Sequence, residues 1–173
     1  MTDTEAWYAE LRQQYRPAEL RVLLIGESPP DPRDGQRRFF YSPRLSHDNL
    51  YRGVSQAVYG ERPDVDIRDK PLVLELLRAD GFWLIDAVEH PINKTTDALR
   101  RCALGAALPD LVERCVALAP EHGVVICHSV VYKVAAPALR ASGVHVLHNE
   151  PLPFPLGNWR ARFVEGFRAA LQE

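Results

Sequence analysis

The stretch Arg21-Val-Leu-Leu-Ile-Gly-Glu-Ser-Pro-Pro30 decides how this chain is read. Its apolar run closes on Gly26 and gives way to charge and proline, the pattern of a short strand buried on both faces of a helix-covered parallel sheet. Three other runs share that character: Phe82-Trp-Leu-Ile-Asp86, Gly123-Val-Val-Ile-Cys127 and Val144-His-Val-Leu147. Helical patterns separate them. Residues 4–15 carry Trp7, Tyr8, Leu11 and Tyr15 at helical spacing and stop at Pro17. Asp48 is placed to cap a helix reaching about Val58, and Leu72, Leu76 and Leu77 mark another that ends near Gly81. Helical segments follow within 97–119, with a break expected at Pro109, and within 130–140, with Pro137 as a kink or break. Trp159, Phe163, Phe167 and Leu171 form the apolar stripe of a last helix. Strands alternating with helices predict an α/β fold: a four-stranded parallel sheet in a three-layer α/β/α sandwich, near 21–25, 82–86, 124–127 and 144–147.

With 173 residues, 46% hydrophobic and 25% charged, the chain suits one domain with one substantial core. No run approaches the roughly 18 apolar residues of a membrane span, and the first sixteen residues do not resemble a signal peptide. A cytoplasmic monomer is expected. Cys102, Cys115 and Cys127 are odd in number, lack a CxxC pair and lie in apolar segments. They read as buried thiols, so neither a disulfide framework nor a metal site is expected. The net charge of −2 excludes a protein that coats nucleic acid through an overall positive field, so any such contact must be local.

In sheets of this kind ligands bind beyond the carboxyl ends of the strands. That rule singles out Glu27, Asp86, His128 and His148. The segment after the first strand, 27–46, holds Pro29, Pro30, Pro32, Gly35 and Pro43. A loop that long within a compact domain is usually functional. His128 reads more simply as a residue starting the helix after the third strand.

Leu24-Ile-Gly-Glu-Ser-Pro-Pro30 resembles the first motif of the uracil-DNA glycosylase superfamily, in which a carboxylate or amide follows this glycine within two residues and a proline comes next. Gly35-Gln-Arg-Arg-Phe-Phe-Tyr41 is similar in placement to that family's aromatic that stacks on the extruded base. His148-Asn-Glu-Pro-Leu152 resembles its last motif, His-Pro-Ser-Pro-Leu, at three of five positions. Leu84-Ile-Asp86, with Pro91 and Asn93 following, is similar to the strand whose asparagine reads uracil. The resemblance runs from Arg21 to the end of the chain.

It implies sheet order 2-1-3-4 and a base-excision repair enzyme that flips a damaged or deaminated base from DNA and hydrolyses its N-glycosidic bond. Bond cleavage leaves a cationic sugar and an anionic base, so the site needs negative charge near the one and donors near the other. Glu27 would position water, as in the thermostable branch of the family, and His148 would donate to the leaving base. Phe39 or Phe40 would stack on the base, with Ser28 and Asp86 beside it. An ionised Asp86 cannot donate, so it would favour a ring or exocyclic N–H over the O4 of uracil. Leu152 would wedge into the duplex, and Arg160 and Arg162 would reach phosphates. The thermostable branch carries an iron–sulfur cluster on four cysteines; with three here, no cluster and no other cofactor is expected. Two other functions remain open: hydrolysis of free nucleosides or nucleotides in the same pocket, and a nucleic-acid-binding protein of this fold without catalysis.

Overall fold

The computed structural model describes residues 3–31, 39–92 and 95–172. Pro32, Gly35, Gln36, Arg37 and Arg38 of the first loop, and Asn93, lie outside the described residues. The chain runs α1 (Asp3–Gln14), β1 (Val22–Gly26), α2 (Asn49–Tyr59), α3 (Lys70–Ala79), β2 (Phe82–Asp86), α4 (Asp97–Leu118), β3 (Gly123–Ile126), α5 (Ser129–Ala141) and α6 (Arg160–Ala170), with a short 3₁₀ turn at Gly157–Trp159.

The three strands pair in parallel in the order β2-β1-β3, with Val22 opposite both Phe82 and Gly123. Central β1 is buried along its whole length, which is what its unbroken apolar run required. The chain crosses from β1 to β2 and then back over β1 to β3. Right-handed crossovers in opposite directions place their helices on opposite faces of the sheet. The helices pair accordingly, α2 with α6 and α4 with α5. A contiguous core joins the strands to Tyr51, Val54 and Tyr59 of α2, Val131 and Leu139 of α5, and Phe163 and Phe167 of α6.

The expected fourth strand is not formed. Residues 144–147 meet β3 through one parallel bridge, Val124 with Val146. Val124 N donates to His145 O at 2.8 Å and Leu147 N to Val124 O at 2.9 Å. The next donor, Ile126 N, bonds the His148 side chain at Nε2 instead (2.9 Å). A side chain thus takes the place of the strand carbonyl that would have continued the ladder.

Two prolines also depart from expectation. Both α4 and α5 run unbroken through Pro109 and Pro137. Each proline, and the residue four before it (Gly105, Lys133), is exposed. The carbonyl that loses its helical donor therefore faces water. Three smaller corrections concern single side chains. Cys102 is exposed while Cys115 and Cys127 are buried, and Trp159 is 52% exposed rather than part of the core stripe. Asp48 stands at the N-cap of α2 but makes no side-chain cap. Among the described residues no helix is long and apolar enough to cross a membrane.

Candidate functional site

A cavity of about 460 Å³ opens beyond the carboxyl ends of β1 and β2. Gly26, Glu27 and Ser28 enter it from β1, Leu84 and Asp86 from β2, and Phe39 and Phe40 from the long loop. Gly26 is required there by contact. A Cβ at that position would lie 2.7 Å from Asp86 Oδ1, so only glycine lets the two strand ends close.

Three carboxylates on the wall, Glu27, Asp86 and Asp48, are each held by a cation from a distant helix. Arg100 of α4 grips both oxygens of Glu27, with Nη2 at 2.7 Å from each and Nε 3.2 Å from Oε1, a planar fork that fixes the carboxylate's orientation. Arg12 of α1, itself partly exposed, donates to the buried Asp86 at Oδ2 over 2.6 Å. Burial pushes the Asp86 carboxyl above its ordinary value while Arg12 pulls it back, and a guanidinium stays charged in proteins. Asp48, also on the wall, accepts from the fully buried Lys70 at 2.6 Å. Lys70 donates as well to Phe39 O at 3.0 Å and lies over the Tyr51 ring. That cluster is why Asp48 does not cap α2. Burial lowers the Lys70 pKa, and Asp48 opposes the shift.

Phe39 or Phe40 was expected to stack on the base. Both are buried and both line the cavity. Phe39 packs among Trp7, Tyr8 and Tyr41, with Arg12 over its ring. Phe40 meets Tyr41 and Tyr51 edge-on. Ser28 Oγ accepts from Ile92 N at 3.4 Å.

The two histidines exchange places. His148 is not among the cavity-lining residues. Its Nε2 accepts from Ile126 N, which makes Nδ1 the protonated nitrogen, and Nδ1 donates to Glu150 O at 2.8 Å. Both ring nitrogens are spent on backbone, so the residue secures the sheet edge and the following turn. His128 does line the cavity, beside Phe154. It caps α5, its Nδ1 accepting from Val130 N at 3.2 Å. Hence Nε2 carries the proton and is a donor. Burial lowers the His128 pKa, Glu27 raises it and Arg100 lowers it, so Glu27 and His128 are near enough to feel each other's charge.

Leu152 is 5% exposed and packs on α6. Its Cδ2 is 2.6 Å from where a Cβ on Gly166 would be. It is a core plug and not a surface wedge, because glycine at 166 opens a notch that takes its side chain. Arg160 is half-buried and donates to Asn49, a cavity residue, at 3.2 Å. Arg162 is exposed, with its guanidinium over the Trp159 ring. Leu156 and Trp159, 58% and 52% exposed, are the large apolar side chains this loop presents to solvent.

Sequence reasoning missed Arg12, Arg100, Asp48 and Lys70. Their signal is absent locally, since each meets its partner across 22 to 74 residues of chain. Among the described residues no group of three or more His, Cys, Asp or Glu is arranged to hold a metal ion. Comparison with family models, curated proteins and solved structures finds no match.

Proposed function

We propose that this chain is an N-glycoside hydrolase of the uracil-DNA glycosylase type, acting on a base turned out of DNA. The observation that carries the reading is one cavity that combines Glu27, a neutral His128 whose Nε2–H has no hydrogen bond among the described residues, and aromatic rings from Phe39, Phe40 and Phe154. Its volume is within the range of small-ligand sites. Glu27 positions the water and faces the cationic sugar. His128 Nε2–H takes the donor role that the sequence had suggested for His148. Stacking on the rings compensates the unstacking needed to reach a base in a duplex. In this reading residues 144–147 are a vestigial fourth strand, which gives the order 2-1-3-4, and the duplex lies against Leu156, Trp159, Arg160 and Arg162.

The test is release of free base from duplexes carrying uracil, hypoxanthine or xanthine, alongside the matching nucleosides. Glu27→Gln keeps the side-chain shape and removes the charge, so turnover should fall by about 100-fold, the usual scale for losing one electrostatic contact to a transition state. Binding of the substrate duplex should persist. Release from nucleosides alone would move the reading to a nucleoside hydrolase, and no release from any substrate would move it to a binding protein.

A further inference from the structure

Helix α4 has 22 residues, buries Leu104, Leu111 and Cys115 along one side and packs on α5. At 1.5 Å per residue it runs for about 33 Å. The side turned away from the core is where a surface helix normally gathers its charge. On α3 and α6 this holds, with Glu75 and Arg78 exposed on the one and Arg162 and Glu165 on the other. On α4 the exposed Leu99, Cys102, Ala106, Pro109, Glu113 and Val116 form a stripe with a single charge. Leu99 and Val116, near its two ends, are 59% and 50% exposed. The spacing, alternately three and four residues, is that of a seam by which one helix packs along another. Gly105 stands beside this seam, and a Cβ there would meet nothing within 4 Å. No contact inside the chain therefore calls for glycine, a residue that weakens a helix interior.

We propose that this face binds a second copy of the chain, with the two α4 helices antiparallel about a two-fold axis near Ala107. The order of residues along the seam, and its charges, point to that partner. In this arrangement Leu99 lies against the partner's Val116, Cys102 against the partner's Glu113 and Ala106 against the partner's Pro109, three layers that share one centre. Larger side chains close the two ends, and small ones at the middle let the helices approach. Arg101 then falls next to the partner's Glu113. Among the described residues neither Arg101 nor Glu113 has an ion pair or side-chain hydrogen bond, so the two-fold axis supplies two opposite-charge contacts that one chain leaves unmade. A parallel pair would set Glu113 against Glu113, like charges facing across an apolar seam. A footprint about 33 Å long and roughly 10 Å wide covers about half or less of the ~800 Å² per partner in a standard interface, so the dimer is weak and forms at high concentration. The inference does not rest on the hydrolase reading, because Arg100 belongs to the inner side of α4, at the cavity.

Sedimentation equilibrium of the intact protein from about 5 to 500 µM should show exchange between one chain and two. Glu113→Arg and Arg101→Glu, each alone, should weaken association at least about tenfold, since like charges then meet twice in every dimer. The double variant restores opposite charges and should return to within about threefold of wild type. Ala106→Arg, at the centre of the seam, should abolish association over the same range. All three positions are exposed, so every variant should keep the circular dichroism of the wild-type monomer. A monomer throughout the range overturns the inference and leaves the face to a different protein. Association that survives Ala106→Arg places the contact elsewhere and overturns it too. Weakening by both single reversals without recovery in the double variant defeats the antiparallel pairing and, with it, the proposal.

Discussion

His128 joins an element's stability to the site's chemistry through a single protonation state. Its Nδ1 must stay unprotonated to accept from Val130 N, and burial holds its pKa below the ordinary value. The folded protein therefore binds this proton less readily than the unfolded chain, whose histidines titrate near about 6.5. Stability from the neutral imidazole is complete above that pH and is lost as pH falls through the lowered folded value. His128→Asn keeps a capping acceptor but does not titrate, so urea unfolding from pH 7 to 5 should show a flatter decline than in wild type. An unchanged slope would remove the assignment. The buried Lys70–Asp48 pair gives a second expectation: Lys70→Ala strands a carboxylate and should cost about 3–5 kcal/mol in the same measurement. At this scale the sequence exposed one partner of the Glu27–Arg100 and Asp86–Arg12 pairs and neither role in the Lys70–Asp48 pair. Glu27 and Asp86 end apolar strands, where a charge is conspicuous, whereas Arg12 and Arg100 sit among ordinary helix charges.

Elements were legible wherever their signal was local. The three strands lie within a residue of their apolar runs, and α1, α3 and α6 follow the spacing of their apolar side chains. Failures arose where a competing contact decided the outcome. The run 144–147 has strand character, yet His148 takes the Ile126 donor. Pro109 and Pro137 fall on exposed helix faces, where water satisfies the freed carbonyl. Leu152 matched a motif position by spacing, but spacing does not say which way a side chain turns, and it fills the notch over Gly166. Leu152→Ala should thus lower stability by about 2–5 kcal/mol, as for other buried leucines, with little change in duplex affinity measured well below the unfolding transition. Weaker duplex binding at unchanged stability would restore the wedge.

For the whole molecule, a net charge of −2 and a cavity wall rich in carboxylates together disfavour general attraction to DNA. On the proposed reading a duplex would be drawn by a small surface, and residues 156–162 offer one: exposed Leu156 and Trp159, with Arg162 stacked on Trp159 and Arg160 bonded to Asn49 at the cavity. Phosphate contacts release counterions, so affinity falls with salt in proportion to their number, by about 0.9 per contact on logarithmic axes. Two arginines then predict a slope with magnitude near 2. Arg162→Gln should reduce that slope by roughly 1, whereas Trp159→Ala should weaken binding at every salt concentration and leave the slope in place. Neither change should affect nucleoside binding, because neither residue lines the cavity. Fluorescence anisotropy of a labelled duplex from 50 to 200 mM salt measures both effects. A wild-type slope well above 2 that survives Arg162→Gln would place the DNA contact on another face, and equal loss of nucleoside and duplex binding in Trp159→Ala would show that this surface acts by shaping the cavity and not by touching the strand.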